Sequence, residues 1–299
     1  MRILTLCYEF PPVGGGGSKV VFGLSRELSR LGHKIDIVTM GFRDLPDHER
    51  IENLDIYRLR PFRKHQHMCD TIEMLRHDLA AAPFVLKLIR RNKYDLNHTH
   101  FIFPDGLTAL IAQKLAEVPY IITPHGSDVP KYNPDRFTIQ HKLLAPAWRA
   151  IVNNSARIVC PSMHLRSLLD AQGHNGTTCI IPNALDPNKF SPDRAKQIRV
   201  LLVTRMFRRK GVQKLLHALK DANFSVEVNI VGDGPYLETL RQIASGINAK
   251  IRFWGWLDND SDELRELYET SSIFVFLSKS ENFPINLLEA MAGAIAESW

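Results

Sequence analysis

Short apolar runs alternate with amphipathic helical stretches along this 299-residue chain, and the alternation starts twice. In the first pass Ile3 to Cys7 reads as a strand. Ser18 to Leu31 reads as a helix with Val20, Val21, Leu24 and Leu28 at its spacing, and Ile35 to Met40 as the next strand. Leu54 to Leu59 (strand), Thr71 to Arg91 (helix), Asp95 to His100 (strand), Gly106 to Glu117 (helix) and Tyr120 to Thr123 (strand) follow. The second pass runs through strands Val200 to Thr204, Ser225 to Val231, Ile251 to Trp254 and Ile273 to Leu277. Helices Gly211 to Lys220, Tyr236 to Ser245 and Asp262 to Ser271 separate them, and another helix opens at Asn286. A strand that returns through a helix of this length comes back parallel, with the helix on a face of the sheet. Between the passes, Ile181-Pro-Asn-Ala-Leu-Asp-Pro-Asn-Lys-Phe-Ser-Pro-Asp193 carries three prolines and reads as a linker. The expected architecture is therefore α/β: two Rossmann-like, doubly wound domains, 1–189 and 190–299, facing a cleft.

Charge narrows the partners. The chain is 23% charged with a net charge of +6, spread out with no dense Lys/Arg tract. That suits anionic small ligands or an anionic membrane surface and argues against nucleic acid. Cys7, Cys69, Cys160 and Cys179 are far apart with no CxxC spacing, as in a reducing compartment. The N-terminal apolar stretch meets Glu9 and Pro11-Pro12 too soon for a leader, and no run reaches the ~20 apolar residues of a membrane span. The expectation is a cytoplasmic protein, at most peripheral on the inner membrane face. A contact of that kind would use Phe84, Val85, Leu88 and Ile89 beside Lys87, Arg90, Arg91 and Lys93, with Arg63 and Lys64 from the neighbouring loop. The alternative is an ordinary helix with that apolar side on the sheet.

Residues able to carry chemistry gather at strand ends. Gly14 to Gly17 follow the first strand and precede a helix, where close backbone approach and free N–H groups favour an anion. The third position of a GxGxxG pattern would fall on Lys19, so a dinucleotide site is not signalled, and a plain tight turn remains the alternative. Thr123-Pro-His125-Gly126-Ser127-Asp128 follows another strand. His125 and Asp128 there could meet a sugar hydroxyl or a reacting centre, or simply belong to a polar loop. His98 and His100 share a strand face but lack a third ligand at metal spacing, so a structural role is expected; His65 and His67 fall in a basic loop and read as solvated. Arg205 and Lys210 flank the loop after the first strand of the second pass and suit a diphosphate, whereas a run including Arg208 and Arg209 could equally be a solvated face. Gly232-Asp233-Gly234-Pro235 ends the next strand and again permits close backbone approach, so Gly232, Asp233 and Gly234 are candidate donor-binding residues. Glu281 and Glu289 lie on either side of a helix start near Pro284, whose first N–H groups would face the ligand crevice.

Taken in order, these pieces resemble glycosyltransferase family 4, retaining enzymes of the GT-B fold. The resemblance spans Met1 to about Ala292. It rests on the Gly-rich loop, the His125-Gly-Ser-Asp128 loop, the Ile-Pro-Asn-Ala-Leu-Asp linker, Arg205…Lys210-Gly211, Val231-Gly-Asp-Gly-Pro235 and Glu281-Asn-Phe-Pro-Ile-Asn-Leu-Leu-Glu289. It implies that Arg205 and Lys210 hold the donor diphosphate and that Glu289 meets the ribose hydroxyls. Glu281, Asn282, Phe283 and Pro284 would contact the donor sugar, and the Phe253 to Leu257 strand end the base. Gly15, Gly16 and Gly17 would approach the phosphate, Gly16 also the acceptor; His125 would lie beside the anomeric centre, with Asp128 on the acceptor side. Neither a metal nor another cofactor is implied, because Arg, Lys and helix N-termini supply the positive charge.

The implied activity is transfer of a sugar from a nucleotide diphosphate donor to a sugar or lipid-linked hydroxyl acceptor, in cell-surface glycan or glycolipid synthesis. Two alternatives share the architecture: a nucleotide-sugar epimerase or phosphorylase, and a catalytically impaired nucleotide-sugar-binding protein. After Ala292 the match stops where the family continues. The second domain is accordingly expected to be incomplete and loose, its Leu201, Ile230, Phe274 and Phe276 strands uncovered on one side.

Overall fold

A computed structural model describes the chain except residues 61–62, 67, 134–137, 222–225, 280, 294–295 and 299. The chain divides into two compact units, Met1–Asn183 and Ala184–Trp299. The break falls a few residues before Phe190, because the linker's second half folds onto the later unit. Phe190 sets its ring edge-on against Tyr268 at 5.8 Å, and the Ser191 N–H donates to Glu269 Oε1 at 2.8 Å.

The first unit runs β1 (Arg2–Leu6), α1 (Gly16–Arg30), β2 (Lys34–Met40), β3 (His48–Ile51), β4 (Leu54–Leu59), α2 (Thr71–Arg91), β5 (Leu96–His100), α3 (Asp105–Ala116) and β6 (Tyr120–Thr123). It continues with α4 (Thr138–Leu143), α5 (Ala145–Asn154), β7 (Arg157–Cys160), α6 (Met163–Asp170) and β8 (Thr178–Ile180). Its sheet has the order β3-β4-β2-β1-β5-β6-β7-β8, parallel throughout except for the antiparallel β3 edge. Strand alternation sends successive side chains to opposite faces. Leu4 and Leu6 enter a core with Val85, Leu88 and Ile122, while Ile3 joins Val21, Ile35 and Ile37 on the other side. Each such fully buried aliphatic side chain stabilises the fold by about 1.5–3 kcal/mol.

Helix α2 begins at a capping box: Asp70 accepts from the Glu73 N–H while Glu73 accepts from the Asp70 N–H, both at 2.8 Å. Val85 and Leu88 are buried in the core, with Phe84 and Ile89 packed against it. The side expected to meet a membrane is therefore the side that covers the sheet. Arg63 is likewise no membrane cation. Its side chain is fully buried 3.7 Å from Glu9 and donates to the carbonyls of His65 (2.9 Å) and Gln66 (3.3 Å). Gln66 in turn holds the Gly-rich turn, donating to the Pro12 carbonyl at 2.7 Å and accepting from the Gly14 N–H at 2.9 Å. His65 is exposed, as expected; His67 lies outside the described residues.

The second unit runs β9 (Gln197–Val203), α7 (Val212–Lys220), β10 (Glu227–Val231), α8 (Leu237–Ala244), β11 (Lys250–Gly255), α9 (Asp262–Thr270), β12 (Ser271–Val275), α10 (Ile285–Ala292) and β13 (Ala296–Ser298). The sheet is parallel, in the order β11-β10-β9-β12-β13. The expectation of uncovered strands is corrected here. Leu201, Ile230 and Phe274 are completely buried. Val212, Leu216 and Leu240 cover the Ile230 face. Leu264, Leu267, Tyr268 and Ala290 from α9 and α10 cover Leu201 and Phe274, with Phe276 packed against them. The far edge of β12 pairs with β13.

Candidate active site

In each unit the strand order decides where a ligand crevice opens. The chain visits β2 and β4 on one side of β1 and then crosses to β5 on the other, so the carboxyl ends of β1 and β5 form a topological switch point. The loops leaving them carry Gly14 to Gly17 and Phe101, with His125 beyond β6. Gly15 and Gly16 have open space where a Cβ would stand, which leaves this backbone approachable at the start of a 15-residue helix. Gly15, the N-cap, provides no side-chain hydrogen bond to the first turn. At Gly17 the constraint is steric: a Cβ there would come within 3.1 Å of the Phe101 ring and 3.5 Å of His125 Nδ1.

Behind His125 stands a column of imidazoles. His98 Nε2 lies 2.8 Å from Thr123 Oγ1, the His98 and His100 rings stack at 4.3 Å, and His100 Nδ1 sits 3.2 Å from His125 Nε2. Burial holds His98 down to about 4; burial, then the neighbouring His98 and His125, holds His100 well below its usual range. Burial and then His98 push His125 down to about 3. His125 is partly exposed, and its imidazole is neutral at pH 7. With all three rings neutral, one proton lies in the His100–His125 contact, so the tautomers of His100 and His125 are linked. The pair His98/His100 thus has the structural role expected for it. Among the described residues no group of three or more His, Cys, Asp or Glu side chains is placed to hold a metal ion.

Asp128 faces inward. Its Oδ1 accepts from the N–H groups of His125 (3.1 Å) and Gly126 (2.8 Å), and its Oδ2 from that of Ile102 (2.8 Å). Burial raises its pKa to about 6 despite these donors. This corrects the expectation of a carboxylate aimed at an acceptor: Asp128 braces the loop that presents His125.

In the second unit the switch point lies between β9 and β12, and the loops leaving them meet there. Lys210, buried at the end of a short 3₁₀ turn (Arg208–Lys210), pairs with Glu281 from the β12–α10 loop. Desolvation lowers the lysine pKa, and Glu281 pulls it back up. The Lys279 N–H also donates to the Arg209 carbonyl at 3.3 Å. Arg205 is half-buried with its guanidinium 5.9 Å from the Phe207 ring centre, and has no carboxylate partner among the described residues; Arg208 is exposed. The four-residue run therefore splits into buried, half-buried and exposed members by position.

Gly232 and Gly234 are required by packing. At φ 128°, a Cβ on Gly232 would stand 1.8 Å from the Thr204 carbonyl oxygen, and one on Gly234 2.6 Å from that of Met206. Asp233 caps this turn, its Oδ1 accepting from the Gly234 N–H at 2.7 Å. Pro284 is the N-cap of α10, one position earlier than a first-turn proline, and Asn286 ties that helix to β9 through a 2.7 Å bond to the Val203 carbonyl. Asn282 and Phe283 precede it in the same loop. Glu289, buried on α10, accepts from Tyr268 Oη at 2.9 Å. The sequence reading missed His100 and Tyr268 as partners of His125 and Glu289. Only the His-x-His pattern offered any signal.

Residues 14–189 match the model of Glycosyltransferase Family 4, and residues 186–296 that of Glycosyl transferases group 1. The chain belongs to this family, and is a nucleotide-sugar-dependent glycosyltransferase with two Rossmann-like units of the GT-B class. It is 24% identical to an uncharacterized glycosyltransferase of Methanocaldococcus jannaschii across 98% of this chain and 78% of the relative. Sucrose-phosphate synthase from Thermosynechococcus elongatus shares the fold with a TM-score of 0.82 at 20% identity, over 99% of this chain and 80% of that one. Anabaena HepE in complex with UDP-glucose does so at 0.71 and 17%, over 99% and 79%.

Proposed function

We propose that the chain is a retaining hexosyltransferase that uses a nucleoside diphosphate sugar, such as UDP-glucose, and a hydroxyl acceptor. The observation that carries this reading is the second unit's switch point, where Lys210, Glu281 and Arg205 gather beside a helix start. Arg205 and Lys210 bind the diphosphate and offset the charge it gains on leaving. Glu289 binds the ribose, the 281–284 loop the sugar, and the Phe253 to Leu257 segment the base. Gly15 to Gly17 and His125 serve the reacting end. Glu281 pairs with Lys210 and Glu289 accepts from Tyr268, and the reading assigns neither of them as a glycosidase-type nucleophile. The C1–O bond to phosphate breaks with its electron pair going to the diphosphate. The acceptor oxygen then bonds C1 on the same face, and its proton passes to the departing phosphate. Protein cations carry the electrostatic load in this scheme, so no metal is required. A panel of nucleotide sugars tests the reading. One of them is expected to raise the melting temperature and to be turned over with its anomeric configuration kept, and His125→Ala to lower turnover about 10²-fold with donor affinity within a few-fold. Inversion of the anomer, or unchanged turnover in His125→Ala, would sink these assignments; binding without transfer would favour the impaired binding protein.

The same reading places the protein against an anionic membrane through a different face of α2 from the one the sequence suggested. Ile72, Leu75 and Leu79 point outward, 62%, 57% and 69% exposed. Glu73 and Asp78 are buried, whereas Arg76, Lys87, Arg90 and Arg91 are exposed, so every outward charge on this helix is positive. Among the described residues no helix is long and apolar enough to cross a membrane. Sedimentation with anionic vesicles at low salt should pull the protein down, and Leu75→Ser with Leu79→Ser should weaken this about tenfold or more. No sedimentation, or none lost in the variant, would retire the contact.

A further inference from the structure

A cavity of about 550 Å³ opens in the first unit, lined by Pro130, Lys131, Lys142, Trp148, Arg149 and Gln172 among others. That is room for one sugar-sized molecule. Its described lining residues include three cations and no carboxylate. Lys131, Lys142 and Arg149 are exposed, and none makes a side-chain hydrogen bond or ion pair among the described residues. Elsewhere on the surface Arg30, Arg60, Lys189 and Lys250 each pair with a carboxylate. Lys131 is held at φ 69°, a left-handed backbone that a residue with a Cβ rarely adopts.

The cavity wall and the loop presenting His125 are one construction. Trp148 forms part of the wall and donates from Nε1 to the Asp128 carbonyl at 3.0 Å. The Asp128 carboxylate in turn holds the His125 and Gly126 N–H groups. Tyr132, in the next turn, packs so closely on Gly126 that a Cβ there would lie 2.6 Å from its ring.

We propose that this cavity receives an anionic group, a phosphate monoester or a carboxylate, carried by the acceptor. The inference rests on the transferase reading and assigns its acceptor a class: an anionic sugar or sugar-like alcohol. Trp148, Pro130 and Ala145 supply apolar walls for the body of the molecule, and the three cations take its charge. Occupancy would stiffen the loop that carries His125, coupling acceptor binding to the reacting end.

Calorimetry on the full chain without donor tests this, using glucose 6-phosphate, glucuronate and neutral methyl glucoside. At least one anionic sugar should bind, and bind about tenfold or more tighter than the neutral one; which of the two does so separates phosphate from carboxylate. Arg149→Gln and Lys142→Gln should each weaken that binding about tenfold while leaving UDP binding and melting temperature unchanged, since both side chains are exposed and unpaired. Equal binding of the neutral sugar, no binding of either anion at millimolar concentration, or unaltered affinity in both variants would overturn the proposal. Efficient transfer to neutral acceptors that Arg149→Gln leaves untouched would overturn the cavity's role and keep the transferase. Arg149-dependent anion binding in a chain that turns over no nucleotide sugar would instead overturn the transferase reading, and the acceptor assignment with it.

Discussion

Replacing Arg205 or Lys210 by alanine is expected to lower kcat/KM for the donor about 10²-fold or more, while Arg208→Ala stays within about a factor of three. The three residues lie in one short basic segment, yet the fold gives them different surroundings. Arg208 is exposed on the 3₁₀ turn, where water screens its charge. Lys210 is buried against Glu281, and Arg205 is half-buried without a carboxylate partner among the described residues. A diphosphate gains negative charge as it leaves, and a cation held in a dry site stabilises that charge far more than one in water. Lys210→Ala should be the more damaging of the two because it also leaves Glu281 uncompensated beside the phosphate. Adding Glu281→Gln to Lys210→Ala should then recover part of the donor affinity. Steady-state kinetics with isothermal titration of UDP would show this. Similar small losses for all three cations would mean that the segment is a solvated face after all.

Gly232→Ala is expected to destabilise the second unit by about 3 kcal/mol or more and to lower its melting temperature by about 10 °C or more. Two costs add. The residue sits at φ 128°, a backbone that L side chains rarely adopt, and the added methyl would lie 1.8 Å from the Thr204 carbonyl oxygen. Neither neighbour can yield cheaply. The Thr204 N–H is bonded to the Val231 carbonyl at 3.0 Å, and the Gly232 N–H to that of Gly255 at 2.7 Å. Relief would have to separate the ends of β9 and β10, where Arg205 begins. Gly246→Ala is the matched control: a Cβ there meets nothing within 4 Å, and it should change stability by less than about 0.5 kcal/mol. A Gly232→Ala protein that melts with the parent would show that this turn can open without loss.

Periodicity by itself determined the architecture. The 3.6-residue pattern over Thr71 to Arg91 and the apolar run Tyr120 to Thr123 end where helix and strand end in the structure. Helix-separated strands admit little besides parallel sheets, and the Gly-rich, His125-Gly-Ser-Asp128 and Arg205…Lys210 loops fall at strand ends because sequence order places them there. The segment between Thr123 and the linker was not legible. There β7 and β8 span only Arg157–Cys160 and Thr178–Ile180, and helices α4, α5 and α6 are short, so no window is long enough for a period to emerge.

Only the tertiary structure decided which polar residues face a ligand and which hold the scaffold. The sequence marked Arg63 as a loop cation for a membrane contact and Asp128 as an acceptor-side group, yet one lies buried beside Glu9 and the other spends both oxygens on backbone N–H groups. His100 and His125 are 25 residues apart and meet only because β5 and β6 are neighbours in the sheet. Lys210 and Glu281, 71 residues apart, meet because strand order sets β9 beside β12. A local pattern reports which face of an element turns inward. Which side chains meet across the sheet is set by strand order and by the cost of burying a charge without a partner, and both belong to the assembled fold.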